Sequence, residues 1–259
     1  MKLLLQSDDY GISPAVALGI VHGIRDGIIR NTGLFSNMPW AAQCVEWIRP
    51  LLPDIAFGLD LNLTTGVPLS PPESIPSLVR EDGSFHSSWE SRKLDAALGA
   101  DHADPQDVLR ECEAQLQAYV QLVGKEPDYI HPHAYTTPMI LDVQRMLCRR
   151  HGIPFSSDVW QDLAGLGVPE YRIPWYQKPA TLENQAASFL GKYILEHGEE
   201  LLSQEVCILA GHMGYLDREL MELSSYTLYR PNDLAGITDP KVLAWVRDNS
   251  VQLVTYRDL

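Results

Sequence analysis

Short apolar stretches alternate with amphipathic helical segments along this chain of 259 residues. The first apolar stretch, residues 3–5, is followed by residues 13–30, where apolar side chains recur at helical spacing behind a Ser13-Pro14 start. The alternation continues to a helix at 239–248 and a strand at 251–256. Strands that are joined through helices run parallel in a sheet. The pattern therefore predicts an α/β fold with mostly parallel strands, as an open sheet or a barrel.

The length favours one domain over residues 1–259, since barrels of ~250 residues are common single domains. Residues 64–103 are rich in Pro, Ser and Gly and are expected to form a long loop insertion with little structure of its own. Between the termini we expect strands at 31–38 (continuing into a loop), 55–63, 128–133, 152–156 and 205–212, helices at 41–48, 104–123, 138–150 and 182–202, and an irregular segment at 158–180.

The formal charge of −14 argues against nucleic acid or anionic lipid as partners, because both require clustered Lys and Arg. No apolar run approaches the ~20 residues of a membrane helix, and Met1-Lys2 leads directly into the first strand. We therefore expect a cytoplasmic protein that binds neither nucleic acid nor membrane; a homodimer is compatible with the sequence. Without CxxC spacing, four cysteines are expected to be buried free thiols: Cys44, Cys112, Cys148 and Cys207.

Polar titratable residues follow four of the predicted strands at the point where each strand ends. They are Asp8 and Asp9, Asp60, His131 and His133, and His212. The carboxyl ends of parallel barrel strands share one face, so these side chains should converge. Two adjacent carboxylates repel each other unless a cation or a shared proton lies between them. Asp8-Asp9 could instead cap a helix, but Ser13 already fills that role.

Carboxylates and imidazoles together suit Zn²⁺ or a similar divalent ion. Five other histidines are interpreted as structural or surface residues: His22, His86, His102, His151 and His197.

Several ordered motifs resemble those of the YdjC/ChbG-like carbohydrate deacetylases. They are Ser-Asp8-Asp9-Tyr-Gly, Gly58-Leu-Asp60-Leu-Asn62-Leu-Thr-x-Gly66-x-Pro68, His131-Pro-His133, Gly211-His212-Met-Gly-Tyr215-x-Asp217, and Tyr229-Arg230 before Asp233-Leu234. The similarity covers nearly the whole chain. It implies a distorted (β/α) barrel that removes acetyl groups from N-acetylated oligosaccharides with one divalent metal ion, Zn²⁺ or Mg²⁺.

The resemblance also implies roles for individual residues. Asp9 resembles the metal-binding acid, His133 the metal-binding histidine, and Asp8 the catalytic base. His212 resembles a histidine that protonates the leaving amine or holds the substrate, and Arg230 a residue that orients an acid or the sugar. Asn62 and Tyr215 lie within the motifs and are expected to contact the substrate. The loop aromatics Trp40, Trp89, Trp175 and Tyr215 could stack on sugar rings or simply pack.

The chain departs from the family pattern at two positions. Position 60 is usually His and is Asp here, while His131 stands where the family usually has Asp in an Asp-Ser-His run. One interpretation is a swap of ligand identity around a retained cation, with Asp9, Asp60 and His133 as ligands and His131 beside or behind them. The other is a site that has lost its usual chemistry.

Three functions remain open from the sequence. The first is a metal-dependent deacetylase that acts on a small N-acetylglucosamine-containing oligosaccharide. The second is a catalytically impaired homologue that binds sugar or regulates. The third is a glycoside hydrolase that uses Asp8 or Asp9 with Asp60 as a carboxylate pair and therefore keeps its activity in EDTA.

Overall fold

A computed structural model describes residues 1–165 and 173–259. Its strands are β1 (Lys2–Tyr10), β2 (Asn31–Leu34), β3 (Ala56–Leu61), β4 (Ile130–Pro132), β5 (Val206–Gly211) and β6 (Gln252–Val254). Its helices are α1 (Pro14–Arg25), α2 (Ala41–Ile48), α3 (Ser88–Leu98), α4 (Pro105–Val123), α5 (Pro138–His151), α6 (Ser156–Gly165), α7 (Leu182–Ala186), α8 (Leu190–Glu196), α9 (Gly198–Leu202), α10 (Arg218–Leu223), α11 (Tyr229–Thr238) and α12 (Pro240–Asp248).

The strands form one parallel sheet in the order β4-β3-β2-β1-β5, with β6 paired to the first residues of β1. All strand pairs are parallel, and helices connect most of them. Within the described ranges no ladder joins β4 to β5, so the barrel is open on that side. The predicted fold class, an α/β distorted barrel with mostly parallel strands, is confirmed. All carboxyl ends of its strands lie at one edge.

The two faces of β1 have different surroundings. Leu3 and Leu5 pack into the large core beneath the helices, whereas Leu4 belongs to a smaller cluster that includes Tyr129 and Tyr256. Because side chains along a strand alternate with a period of two, positions 6 and 8 share the inner face with Leu4. The strand therefore changes from apolar to polar along one face as it approaches the carboxyl edge.

Two inner-face glycines make room for larger side chains from neighbouring strands. A Cβ at Gly33 would lie 1.8 Å from Asp60 Oδ1, and a Cβ at Gly58 would lie 2.6 Å from the Tyr129 ring. Neither position could hold a side chain without moving its neighbour. β2 thus lets the Asp60 carboxyl lie directly against its backbone.

Two predicted helices are shorter than expected. The first ends at Arg25 rather than Arg30. The expected helix at 182–202 is three helices, α7 to α9, because tertiary contacts interrupt it. Asn232 donates to the carbonyl of Ser188, and the Ser188 hydroxyl accepts from the backbone N–H of Gln177.

Further predictions need correction around residues 152–180. The expected strand at 152–156 is reduced to a single bridge between Phe155 and Ile130, since Gly152 caps α5 in the left-handed region and α6 begins at Ser156. The segment at 158–180 is not irregular throughout, because α6 runs to Gly165. Residues 166–172 of that segment lie outside the described residues.

The insertion at 64–103 contains a 3-10 turn, Pro72–Ser74, and the helix α3. The chain between residues 213 and 238, for which no helix or strand was predicted, forms α10 and α11. The four cysteines are buried free thiols, as predicted. Across the described residues no helix is long and apolar enough to cross a membrane.

Candidate active site

The end of β1 is irregular at the Asp8-Asp9 pair. The register with β2 shifts between Ser7 and Tyr10, and Asp9 has a φ of 68°, in the left-handed region. A regular strand would point adjacent side chains to opposite faces. The irregularity instead brings both carboxyls, which are almost fully buried, among the histidines of the neighbouring strand ends.

Asp9 lies at the centre of the site. Its Oδ1 is 2.9 Å from His133 Nδ1, and its Oδ2 accepts a hydrogen bond of 2.6 Å from Nη2 of the fully buried Arg230. Burial raises the pKa of this carboxyl, but the charges of His133 and Arg230 outweigh burial and hold the pKa well below its ordinary value. Asp9 is therefore ionised at neutral pH. The Asp9 contact supports the expectation that Arg230 orients an acid.

Asp8 is held by a chain of hydrogen bonds that begins at Tyr256, just after β6. The Tyr256 hydroxyl donates to Gln6 Oε1 at 2.6 Å, so the Gln6 amide nitrogen faces Asp8 Oδ1 and donates to it at 2.5 Å. Burial, together with the charge of Asp9, raises the pKa of Asp8 to about 8. In the site as described, Asp8 therefore holds a proton at neutral pH.

The two residues that depart from the family pattern are direct neighbours. Asp60 and His131 are register partners on β3 and β4. Asp60 Oδ2 accepts from the backbone N–H of Asp9 at 2.9 Å, and Asp60 Oδ1 lies against Gly33. Burial, with the charges of Asp8 and Asp9, raises the pKa of Asp60 well above its ordinary value. The exchange of acid and imidazole thus falls within one cross-strand pair.

His131 faces Asp8 rather than Asp9. Its Nδ1 is 2.8 Å from the Ser156 hydroxyl and its Nε2 is 3.9 Å from Asp8 Oδ2, while its ring packs against Trp160. Burial lowers the pKa of His131 to about 3, so the ring is neutral. Ser156, the first residue of α6, thus contacts the site.

His212 follows β5 and lies on the other side of Asp9. Its Nε2 is 3.9 Å from Asp9 Oδ2, and its Nδ1 is 3.2 Å from the Tyr176 hydroxyl, which in turn donates to Asp233. Burial lowers the pKa of His212 to about 3, and burial raises that of Asp233 to about 7. Around Asp9 the structure thus brings together six of the predicted site residues with Arg230: Asp8, Asp9, Asp60, His131, His133 and His212.

Two predicted substrate-binding residues have other contacts. Asn62 is fully buried, and its amide holds the turn that follows β3 by bonding to Thr64, Thr65 and Asn37. No described contact of Asn62 supports a substrate role. Tyr215 is 42% exposed, but its hydroxyl is 2.7 Å from His22 Nδ1 on α1.

Two of the aromatic residues that were predicted to stack on sugar or to pack differ in exposure. Trp175 is buried and donates to Asp233, whereas Trp89 is exposed and its ring contacts Lys93 Nζ.

Sequence reasoning missed four residues that touch the predicted ones: Gln6, Ser156, Tyr176 and Asp233. Gln6 could have been found, because it lies two positions before Asp8 on the same strand face. Asp233 belongs to one of the motifs in the sequence, but no role was predicted for it. Nothing local marks Ser156 or Tyr176, which reach the site from distant parts of the chain.

The chemistry of these side chains fits a divalent cation. Three buried carboxyls, Asp8, Asp9 and Asp60, lie together with the buried guanidinium of Arg230, which bonds to Asp9. Among the described residues, Asp60 Oδ1 accepts no hydrogen bond. Carboxylate and imidazole are suitable ligands. However, within 1–165 and 173–259 no three His, Cys, Asp or Glu side chains are arranged as a complete metal site. Asp9 and His133 face each other, while Asp60 is engaged with the Asp9 backbone.

An open surface cavity of about 430 Å³ lies between α8 and α11. Phe189, Lys192, Asn232 and Asp239 are among its lining residues, and none of the acids or histidines above lines it. This cavity is separate from the candidate site.

Comparison with known proteins identifies the family. A model of the YdjC-like proteins matches residues 2–248. The chain belongs to the YdjC-like family. A carbohydrate deacetylase of Thermoanaerobacter pseudethanolicus is 29% identical to it, covering 98% of this chain and 97% of the relative. Carbohydrate deacetylase 2 of Listeria innocua is 27% identical, covering 100% of this chain and 99% of the relative.

The fold of this YdjC-like protein also has a counterpart among solved structures. A protein of Enterococcus faecalis V583, which carries a provisional name as a cellobiose-phosphate cleavage protein, superposes with a TM-score of 0.79. It is 23% identical, with 99% of this chain and 98% of that chain covered. This likeness concerns the fold. The family predicted from the motifs is confirmed.

Proposed function

We propose that this YdjC-like protein is a carbohydrate deacetylase that hydrolyses the N-acetyl group of an N-acetylglucosamine-containing oligosaccharide with the help of one divalent metal ion. The observation that carries the proposal is the pair formed by Asp9 and His133, 2.9 Å apart at the carboxyl edge of the sheet, with Asp8 adjacent. The family and its carbohydrate deacetylases support this choice of reaction.

Asp9 and His133 would hold the ion, with Asp60 as the third protein ligand through its unpartnered Oδ1. Such an ion, Zn²⁺ or Mg²⁺, supplies Lewis acidity towards the acetyl carbonyl and the attacking water. Arg230 keeps Asp9 ionised and oriented through its hydrogen bond to Oδ2. The first three residues would thus bind the ion, and Arg230 positions one of them.

Asp8 and His212 would move the protons. Asp8 accepts the proton of the attacking water, and His212 donates to the departing amine nitrogen. A base must be ionised, whereas burial and Asp9 raise the pKa of Asp8 to about 8. Positive charge beside Asp9 would lower that pKa, which is a physical reason for this site to require a cation.

The test is acetate release from N-acetylated chito-oligosaccharides, first in EDTA and then after adding Zn²⁺ or Mg²⁺. We expect release only with the added ion, and a fall of at least about 100-fold in Asp8→Asn, the size typical of losing a general base. Asp162→Asn removes an exposed acid of α6 and is the charge-matched control. Equal release in EDTA and in metal would contradict the metal requirement, and release unchanged in Asp8→Asn would contradict the assigned base.

The second candidate is a sugar-binding homologue without turnover. The observation that favours it is that, in the described residues, Asp60 is engaged with the Asp9 backbone and no three-ligand cluster is complete. It predicts that the oligosaccharide binds in calorimetry while no acetate is released with either ion. Asp60→His separates the two, since gained activity indicates an impaired site and lost activity a retuned one.

A further inference from the structure

A second group of buried polar side chains lies behind His212, on the side away from Asp9. Tyr176 and Asp233 are buried, and both contact His212. Neither touches Asp8, Asp9 or His133 through any described hydrogen bond. The group reaches the proposed active site through His212, since Tyr176 contacts both its imidazole and its backbone N–H and Asp233 accepts from that N–H.

The hydrogen bonds of Asp233 indicate which group accepts the hydroxyl proton of Tyr176. Asp233 Oδ1 accepts from the Trp175 indole N–H at 2.9 Å, and Oδ2 accepts from the Tyr176 hydroxyl at 2.5 Å and from the His212 backbone N–H at 3.2 Å. A phenol has a single proton, and the contact with the carboxylate is 0.7 Å shorter than the contact between the hydroxyl and His212 Nδ1, at 3.2 Å. Tyr176 therefore donates to Asp233.

The Tyr176 oxygen is then an acceptor for the imidazole. Once its proton is shared with Asp233, a hydrogen bond at 3.2 Å to His212 requires that Nδ1 carries the hydrogen. A neutral imidazole has one N–H, so the lone pair lies on Nε2. Nε2 is the nitrogen nearer to Asp9, 3.9 Å from Oδ2, a separation too long for a direct hydrogen bond.

Packing keeps this arrangement in place. The Tyr176 ring stacks on Tyr229 of α11 with centroids 3.8 Å apart and planes 7° from parallel. A Cβ at Gly211 would lie 2.7 Å from Asp233 Oδ2, so glycine at the end of β5 is what allows the carboxylate to reach the His212 backbone. Both the hydroxyl and the carboxylate are thus fixed by contacts other than their own hydrogen bonds.

We propose that Tyr176 and Asp233 are positioning residues that place the proton of His212 on Nδ1 and direct the lone pair of Nε2 towards the reacting groups. The role in catalysis rests on the proposed deacetylase function, whereas the position of the proton does not. His212 would accept at Nε2 the proton of the hydroxyl that the attacking water leaves on the tetrahedral carbon, and pass it to the amine nitrogen as the C–N bond breaks, while Asp8 keeps the other proton of the water. Rotation of the ring, which would exchange the two nitrogens, is opposed by Tyr176.

The test is the tautomer of His212, read from long-range ¹H–¹⁵N correlations of the ¹⁵N-labelled full chain in EDTA at pH 8, where Asp233 is ionised. His212→Gln identifies the His212 signals by their loss. In the unmodified protein we expect a protonated Nδ1 and a bare Nε2. Tyr176→Phe keeps the stacked ring but removes the acceptor, so a mixture of tautomers is expected.

The matched control is Tyr226→Phe. The Tyr226 ring also packs on His212, with centroids 5.2 Å apart, but its hydroxyl bonds to Lys178. We expect the tautomer to be unchanged in this variant. If Tyr176→Phe does not fold, the tautomer is read in Asp233→Asn instead. Trp175 and Tyr176 donate to different oxygens of Asp233, and an amide has an oxygen at only one of those two positions, so the preference for Nδ1 should weaken.

A protonated Nε2 in the unmodified protein would overturn the proposal, as would a tautomer that is the same in Tyr176→Phe and Asp233→Asn. If the protein releases acetate, Tyr176→Phe should lower kcat about 10-fold with KM nearly constant, while Tyr226→Phe keeps both. Absence of deacetylase activity would refute the proposed function but leave the tautomer result intact.

Discussion

The chemistry of single residues in this site is set by backbone conformation as much as by side-chain type. Asp9 adopts a φ of 68°, which for a residue with a Cβ costs on the order of 1 kcal/mol. The contacts with Arg230 and His133 hold it there. In return, two consecutive carboxyls reach one pocket and acquire opposite pKa shifts, Asp8 upwards and Asp9 downwards. Apposed groups with divergent pKa values are typical of functional sites.

The exchange of acid and imidazole at positions 60 and 131 can be tested by reversing it. Asp60→His and His131→Asp should each lower metal content and acetate release, because each leaves the cross-strand pair with two like groups. The double variant should recover part of both, with a coupling energy of about 0.5–3 kcal/mol, since the two positions are register partners.

Elemental analysis after dialysis gives the metal content of the four proteins, and acetate release gives their activity. Losses in the double variant equal to the sum of the single losses would show that the two positions act independently.

At the scale of elements, α11 is the part of the molecule that connects the site to its surroundings. It bears Arg230, which bonds to Asp9, and Asp233, which bonds to the His212 backbone. Helix α8 packs closely on α11, because a Cβ at Gly191 would lie 2.7 Å from Gly236 Cα. The position of α11, and with it both buried groups, depends on this glycine contact.

Gly191→Ala should therefore destabilise the fold and disturb the site. The added methyl meets backbone rather than a flexible side chain, and overpacking of this kind costs about 1–3 kcal/mol. Urea unfolding gives the free energy. Gly165→Ala is the control, since a Cβ there meets nothing within 4 Å among residues 1–165 and 173–259. Equal stability of the two variants would contradict a close contact between α8 and α11.

The sequence was informative about these elements where the signal was local. The caps Ser13, Asp104 and Thr137, each followed by proline, mark helix starts that the structure confirms. The break of residues 182–202 into three helices had no comparable signal, because bonds from Asn232 and Gln177 cause it. Likewise α11 shows a weak periodicity, since it is buried on several sides.

For the whole molecule, the excess of buried acids makes stability depend on pH. Between the unfolded pKa of 3.8 and the folded pKa of about 8, folded Asp8 binds a proton that the unfolded chain has lost. Stability then falls as the pH rises, by up to about 1.4 kcal/mol per pH unit. The pKa values of His131 and His212 are lowered to about 3, so these residues make stability rise with pH. They do so only up to the ordinary histidine pKa of 6.5.

In EDTA, the free energy of unfolding is therefore expected to decrease from about pH 6.5 to about pH 8, where the histidines no longer compensate. Asp8→Asn should reduce this decrease, because it removes one of the acids with a raised pKa, leaves Asp60 and Asp233 in place, and keeps an acceptor for Gln6. Urea titrations across this range measure the slope. An unfolding free energy that rises with pH, or an equal slope in Asp8→Asn, would contradict the raised pKa.

Addition of Zn²⁺ or Mg²⁺ should stabilise the fold, because the ion compensates three buried carboxyls. At about 100 times its dissociation constant a bound ion adds about 2.7 kcal/mol, which raises Tm by several degrees for a chain of this size. Asp9→Asn should abolish the shift, and Asp162→Asn should keep it. A shift of the same size in Asp9→Asn would place the ion elsewhere.

The sequence by itself determined the parallel α/β fold, the family and the convergence of acids and histidines at one edge of the sheet. These follow from periodicity and from the residues at strand ends, which are local properties. Only the tertiary structure decided that Asp8 and Asp9 face the same way, that Asp60 bonds to the Asp9 backbone, and that Tyr176 and Asp233 lie behind His212. The physical reason is that these arrangements depend on a strand irregularity and on contacts between residues distant in the chain, which no local pattern encodes.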